Sequence, residues 1–526
     1  MSLDCRTFIG SSEALALEPP SPEVQLVIAS ARDALPGAAL LKQLKVQFPG
    51  AQLHLSTSCQ GMMTEERLSL DAGELALITY TDQKSAFGSA GASLPELTES
   101  ARVTAQLLHT AELRAARAGE LPALVWLSAT PGSEEQVIGA IRAYYKSPVL
   151  ICGGSSADDQ IEGAWWVGDQ DQIYPQGIVL SLIYTSAQIV TQFSAGYQIA
   201  DAKGVITEGA QRLLKTIDDL PAAEVYNEWC EGALSDYLPQ GNILAASTFQ
   251  PLAVQCGSLA LTPYYRVIHP VEIRADGSLS TFSDIAAGEK IVLLSGDPES
   301  LISRARRVAE GALLELNEDI SGVKGALVIF CAGCFLAIKD RIEEVWCGLK
   351  LALPDVPLLA QFTFGEQGVF PDGEVAHGNL MISVTLWHET RHVDPWFSPP
   401  PAQFRSLDEQ LQLLTESCET GTKRSMRRRL SASWNTASLE EHTTRSPSLT
   451  KAVQVSSPAS EIASTPERVP IPTQTPELTQ MPELSESPSP QPPEQEPEGS
   501  EDDTVRISFS ELQFWAERAA RSDEEE

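Results

Sequence analysis

The sequence predicts an α/β protein: two related lobes whose β-sheets are covered by helices, followed by a disordered C-terminal tail. Three observations predict it. Between about Glu23 and Leu386, short runs of Val, Ile and Leu alternate with longer amphipathic stretches. Two glycine-centred segments, Ile151–Asp158 and Gln361–Gly368, each follow an apolar run that reads as a buried strand. Beyond about Pro399 the apolar periodicity fades, and from Ser446 to Ser500 Pro, Ser, Thr, Glu and Gln dominate. Such a segment buries too little apolar surface to offset its ordering entropy.

The elements follow in order. Val24–Ser30, Leu53–Ser56, Leu75–Thr79, Leu124–Leu127, Val149–Cys152 and Gly177–Ile183 read as strands bounded by turn residues. Leu94–Arg117 reads as a helix with Leu97, Ala101, Ala105, Leu108 and Leu113 near one face. Gly204–Leu214 reads as a second helix, ending before a boundary at Asp218-Asp219-Leu220-Pro221. Val267–Ile273 and Leu279–Phe282 flank Asp276-Gly277, the signal of a hairpin turn. Asp297-Pro298-Glu299 opens a helix running to about Leu316, with proline and an early acid where the helix dipole favours them. Ala326–Phe330 is a buried strand, Ile338–Leu353 a helix stopped by Pro354, and Leu380–Leu386 a closing strand.

Composition narrows the function. With 526 residues and 43% hydrophobic content, the chain has room for more than one packed domain. Its 71 acids against 37 bases give a net charge of -34, which argues against nucleic-acid partners and anionic membranes. No basic region followed by an apolar stretch marks the start as a secretory signal, and no run reaches the length of a membrane span. Nine scattered cysteines fit a reducing compartment, so a cytoplasmic location is expected.

Several short motifs together resemble the FIST family. Gly153-Gly154-Ser155, Gly196, Gly204-Val205-Ile206-Thr207 and Pro221–Tyr226 resemble its N-terminal domain. Arg266-Val267-Ile268, Asp276-Gly277-Ser278, Gly288, Phe330-Cys331-Ala332-Gly333, Thr363-Phe364-Gly365-Glu366 and His377 with Asn379 resemble its C-terminal domain. The resemblance implies a sensory module that binds small ligands, amino acids among them, in signal transduction. One departure stands out: where the family often carries an Arg three positions after the equivalent of Cys331, this chain has Cys334. The expected division is an N-terminal extension (1–22), a FIST N-terminal domain (23–220), a FIST C-terminal domain (221–398), a disordered linker (399–503) and a short docking segment (504–526).

The candidate ligand-binding residues are Gly153, Gly154, Ser155, Ser156, Thr363, Gly365 and Glu366. The first loop could offer backbone amides and two hydroxyls to the anionic end of a ligand. Its spacing is neither a P-loop nor a Rossmann fingerprint, and the competing reading is a tight turn. Glu366 and Thr363 could hold an amine; alternatively Glu366 caps neighbouring amides. Asp158 and Asp159 could meet an ammonium group or a metal, or stand solvated. His377 and Asn379 could serve a ligand or lock the Glu366 loop. Trp165-Trp166 reads as cover for apolar surface or as a lid.

Cys331-Ala332-Gly333-Cys334 has redox spacing, yet Cys331 ends a strand and no second such pair completes a zinc site, so structural thiols are expected. A nucleophilic pairing of Cys59 with His54 or His377 has no signature behind it. No catalytic set assembles, so neither an enzyme, a metal nor a cofactor is expected. In the tail, Arg427-Arg428-Arg429-Leu430-Ser431 resembles a basophilic kinase site. Phe509, Leu512, Trp515, Ala516 and Ala519 form a stripe suited to a protein partner. The alternative function is therefore a protein-interaction adaptor, a ubiquitin-ligase-like substrate platform without its own F-box.

Overall fold

The computed structural model describes residues 3–94, 96–259, 262–316 and 320–389. The expected linker, the kinase-site cluster and the docking segment lie outside the described residues. The described residues form four sheets, and three of them are built by one plan repeated along the chain.

The first unit runs β1 (Asp4–Ser11), α1 (Ser12–Leu17), β2 (Leu26–Ala31), α2 (Gly37–Gln47), β3 (Gln52–Thr57), β4 (Met62–Thr64), β5 (Leu68–Ser69) and β6 (Glu74–Thr81). The second repeats it as β7 (Ala86–Ser93), α3 (Ser100–Arg114), β8 (Leu124–Ala129), α4 (Glu134–Tyr145), β9 (Ile151–Ser155), β10 (Val167–Asp169), β11 (Ile173–Tyr174) and β12 (Gly177–Tyr184). The third opens with β13 (Gln188–Ser194) and is then interrupted. The interruption holds β14 (Gln198–Ile217), β15 (Leu220–Pro221), α5 (Ala222–Trp229), β16 (Gly241–Asn242), β17 (Leu252–Leu259), β18 (Thr262–Ile268), β19 (Pro270–Ile273), β20 (Leu279–Ala286) and β21 (Lys290–Ser295). The plan then resumes with α6 (Pro298–Leu316), β22 (Val323–Cys331), α7 (Ala332–Ala337), α8 (Ile342–Ala352), β23 (Leu358–Thr363), β24 (Glu366–Val369), β25 (Val375–Gly378) and β26 (Ile382–His388).

Each of these three sheets has a parallel pair at its heart: β2 with β3, β8 with β9, β22 with β23. An antiparallel strand flanks each pair, β6, β12 and β26 in turn, and the unit's first strand lies beyond it. The hairpin after each parallel pair leaves its own sheet. β4–β5 joins the third sheet beside β23, β10–β11 joins the first beside β3, and β24–β25 joins the second beside β9. The exchange is cyclic, so each sheet is completed by a hairpin from a different unit.

Alternation along the central strands explains the layers, because successive side chains of a strand point to opposite faces. Leu26 and Ile28, Leu124 and Trp126, and Leu327 and Ile329 share one core with Tyr80 and Trp387, whose rings lie 5.3 Å apart. The intervening Val27 and Ala29 pack with Leu40 and Leu44 of α2. Val125 and Leu127 pack with Leu108, Val137 and Ile141 of α3 and α4. Ala326 and Val328 pack with Ala305 and Val345 of α6 and α8. Three sheets thus surround one inner core, and each carries helices on its outer face. Burial on both faces is why these strands read as unbroken apolar runs.

The residues set apart as an N-terminal extension are part of this plan, since β1 pairs with β6 from Asp4 to Ser11. One expectation is corrected. Gly204–Leu214 is not helical but lies within β14, whose Val205, Ile206 and Thr207 are β-branched. The chain reverses at Asp218 and Asp219, with φ of 49° and 66°, into β15. Two successive residues with positive φ are the mark of a tight hairpin turn. The interrupting sheet has its own core, including Ile206, Tyr226, Ile268, Leu279 and Ile291. It enters and leaves through paired residues, Gln198 opposite Ser295.

Candidate ligand site

The parallel strands β3, β9 and β23 end at Thr57, Ser155 and Thr363, and the loops that follow interlock. The Cys59 amide donates to Phe362 O at 3.0 Å, the Ala157 amide to Thr57 O at 3.1 Å, and the Phe364 amide to Ser155 O at 3.2 Å. Each loop therefore donates to the end of another unit's strand, in a closed ring. Asp159 ties it further: it accepts from the Gln60 amide at 2.6 Å and pairs with Arg32 at 2.6 Å. Trp165 stands edge-on to Phe364, and Trp166 is buried against α2 and its sheet.

The two glycine segments meet within this ring. β24 lies antiparallel to β9, with Glu366 opposite Gly154 and Gln367 opposite Gly153. Glycine is required by proximity. A Cβ on Gly153 would sit 1.8 Å from Leu127 O, and one on Gly365 would sit 2.1 Å from the His377 ring. The amides of the first loop serve the sheet: Ser155 N donates to Gly365 O and Ser156 N to Ala129 O, each at 2.8 Å. The Ser156 hydroxyl also turns to Ala129 O, at 3.3 Å.

Alternation then separates the side chains. Glu366 and Thr363 lie on one face of the β9–β24 junction, Ser155 and Gln367 on the other. On the Glu366 face the carboxylate accepts the Thr363 hydroxyl at 3.1 Å and the Met381 amide at 2.9 Å. Burial pushes its pKa well above the usual carboxylate range, against the pull of the Met381 amide and the Arg304 charge. Leu380, beside it, holds φ of 52°, a conformation that costs a branched side chain strain.

The opposite face carries a charged cluster. The Ser155 hydroxyl donates to Glu134 Oε1 at 2.6 Å, and Gln367 Nε2 reaches Ser155 Oγ and His377 Nδ1, each at 3.2 Å. Arg212 Nη2 bridges Glu134 at 2.8 Å and Glu135 at 3.0 Å. Its Nε lies 3.7 Å from Asp284, whose amide donates to Glu135 at 2.9 Å. Glu134 and His377 are buried at the base, whereas the side chains of Arg212 and Asp284 are 27% and 30% exposed. Burial alone would raise the Glu134 carboxyl; His377, Arg212 and the Ser155 hydroxyl overcome it and hold it down at about 2. Asp284 is shifted upward, by burial and then by Glu135.

The oxygens of Glu134 and Glu135 and a nitrogen of His377 lie within 4.8 Å of one another, a spacing that could hold a metal ion. Arg212 already supplies a positive charge there, so the set suits a ligand carrying both signs better than a bare cation. The sequence reading missed Glu134, Glu135, Arg212 and Asp284. The two glutamates lie in α4, a helix that the sequence reading did not identify, and Arg212 was hidden by the helical reading of β14. A separate surface cavity of about 350 Å³, lined by Gln25, Pro49, Gln52, Ser85, Phe87 and Arg114, is formed by other residues altogether. His54 gives its two ring nitrogens to Ser181 and Ser128 at 2.9 Å rather than to Cys59.

Fold and site define a mixed α/β protein with a charged cluster shared between its second unit, its third unit and its interrupting sheet. Residues 24–220 match the FIST N domain and residues 222–369 the FIST C domain. The chain belongs to the FIST family, whose domains are sensory domains for small ligands. No curated protein matches it. Among solved structures it is similar to cyanuric acid hydrolase from A. caulinodans, at 11% identity and a TM-score of 0.22 over 40% of this chain and 80% of that one. It is also similar to PurLQS from Thermotoga maritima, at 10% identity and a TM-score of 0.18 over 58% and 72%. At these scores neither likeness bears on activity. Among the described residues no helix is long and apolar enough to cross a membrane.

Proposed function

We propose that this FIST protein is a signalling sensor that binds a small zwitterion, an amino acid or a close analogue, at the Glu134–Glu135–Arg212–Asp284–His377 cluster. The observation that carries this is the pairing of opposite charges at a half-open mouth above a buried polar base. Glu135 and Asp284 would take the ammonium group. Arg212 reaches both glutamates through Nη2, which leaves Nη1 to meet the carboxylate. Gly153, Gly154, Ser156, Thr363, Gly365 and Glu366 would serve as the frame that seats Ser155, Gln367 and His377 against Glu134. The reading is of binding without turnover.

Because Arg212 and Asp284 come from the interrupting sheet and Glu134 and Glu135 from α4, a ligand held between them would bias how that sheet bears on the three-sheet body. A signal follows only if the ligand binds two such arrangements differently. A thermal-shift screen with the standard amino acids tests the reading. At a ligand concentration about a hundredfold above Kd, binding should add about 2.7 kcal/mol of stability. Glu135→Gln and Arg212→Met should abolish the shift while leaving the apo protein folded. A flat response to every amino acid would overturn it.

A further inference from the structure

We propose that Cys331 and Cys334 form a peroxide-oxidisable dithiol, with Cys334 as the attacking sulfur and Cys331 as the resolving one. This site is independent of the zwitterion cluster and lies on the Glu366 face.

The geometry begins with Arg304. It is fully buried, and its Nη1 donates to Ala195 O at 2.8 Å and Leu380 O at 2.6 Å. Its Nε and Nη2 find no acceptor, and among the described residues no carboxylate pairs with it. The Phe330 ring lies 4.8 Å from its Cζ. A guanidinium cannot shed its charge, and an uncompensated buried charge is strongly unfavourable. Glu366 is held toward its neutral form by burial. The other groups that act on Arg304 are Cys334, Tyr197 and Cys331.

Cys331 is the last residue of β22 and Cys334 lies in the first turn of α7, so the two cysteines stand three residues apart across a strand-to-helix junction. Tyr197 Oη stands 3.7 Å from Cys334 Sγ. Burial raises the Cys334 thiol, but the bond from Cys331, the Arg304 charge and Tyr197 outweigh it and bring it to about 6. Burial pushes Cys331 well up, so it keeps its proton. The Cys334 thiolate and the Cys331 thiol therefore stand three residues apart, under the influence of a fixed positive charge.

The oxidation balances with hydrogen peroxide as the oxidant. The Cys334 thiolate attacks one peroxide oxygen, the O–O bond breaks, and hydroxide leaves to become water with a proton from solvent. Cys334 is then a sulfenic acid. The Cys331 sulfur attacks it, the S–S bond forms and the S–O bond breaks. The departing hydroxide takes the Cys331 proton as a second water. Two electrons pass from the sulfur pair to the peroxide. Cys334 has no solvent exposure, so peroxide reaches it only through local opening of the fold around α7.

The test treats the full-length protein with limiting hydrogen peroxide, labels remaining thiols under denaturing conditions, and maps them by mass spectrometry. The expected result is a 331–334 peptide that has lost two hydrogens and takes no label, oxidised ahead of the exposed Cys256. In Cys331→Ser, a sulfenic acid should accumulate at Cys334 and be trapped by dimedone. Arg304→Met should slow the oxidation about tenfold at neutral pH, and Arg304→Lys should restore it in part. The proposal fails if Cys256 oxidises while the 331–334 peptide stays fully labelled. It fails equally if Cys331→Ser yields no trapped sulfenic acid.

Discussion

Gly153 and Glu366 show how closely the β9–β24 junction is specified at the residue scale. A methyl group on Gly153 would strike the Leu127 carbonyl, and backbone yields far less readily than a side chain. Gly153→Ala should therefore cost about 3 kcal/mol or more in urea unfolding; a loss below 1 kcal/mol would contradict the pairing. Glu366 gives a finer test. A carboxyl held neutral by burial is close in shape and charge to an amide, so Glu366→Gln should cost less than about 1 kcal/mol. Glu366→Ala strands the buried Met381 amide and should cost about 1–3 kcal/mol more. Equal losses for the two variants would mean that the carboxylate is charged in the folded protein. The sequence motifs drew attention to Glu366 and Ser155 together, but alternation sends them to opposite faces. Their partners, the Met381 amide on one side and Glu134 on the other, come from elements that no local pattern connects.

At the scale of elements, legibility followed burial. β2, β8, β22 and β23 are covered on both faces and stand out as apolar runs, and the helix opened by Asp297-Pro298 was equally plain. In the structure Asp297 Oδ1 accepts the Ser300 amide at 2.6 Å, which is the cap that the local residues imply. β14 was misread because it is a long strand with much of its length exposed. Its buried Ile206, Leu214 and Ile217 are too sparse to show a period of two, and the Gln-Arg-Leu-Leu-Lys stretch suits a helix by intrinsic preference alone. Its turn offers a direct check. Asp219 holds φ of 66°, where glycine is the preferred second residue of a two-residue hairpin turn. Asp219→Gly should stabilise the protein by about 0.5–1 kcal/mol, read as a rise in Tm. A drop in Tm would show that the turn differs from this one. Asp218 should not be replaced, because its side chain accepts the Val205 amide at 3.0 Å.

The whole molecule carries its own pH signature. Burial holds His54 down at about 3 and His269 at about 4, with the Leu244 carbonyl opposing the shift at His269. Unfolded, both titrate near the ordinary 6.5. As pH falls below that value, the unfolded chain binds protons that the folded chain refuses, so stability is full above about pH 6.5 and declines toward about pH 4. Each histidine contributes up to roughly 1.4 kcal/mol per pH unit within that window. Urea midpoints measured between pH 7 and pH 5 should fall accordingly, and a flat profile would mean that both rings take up protons in the native state. The repeat of the three sheets was the least legible feature of all. It is a repeat of topology and not of residues: the three strand ends read Ser56-Thr57-Ser58-Cys59, Gly154-Ser155-Ser156-Ala157 and Phe362-Thr363-Phe364-Gly365. Packing conserves where a chain turns far more strictly than which side chains it uses to turn.

The cyclic loan of hairpins has a consequence for assembly. Cut between Tyr184 and Gln188, the chain would yield one piece lacking the ribbon that belongs beside β9 and another lacking the ribbon that belongs beside β23. Each fragment holds what its counterpart is missing. Co-expressed halves should therefore recognise each other and restore the native circular dichroism, while either half alone would display a bare strand margin and aggregate.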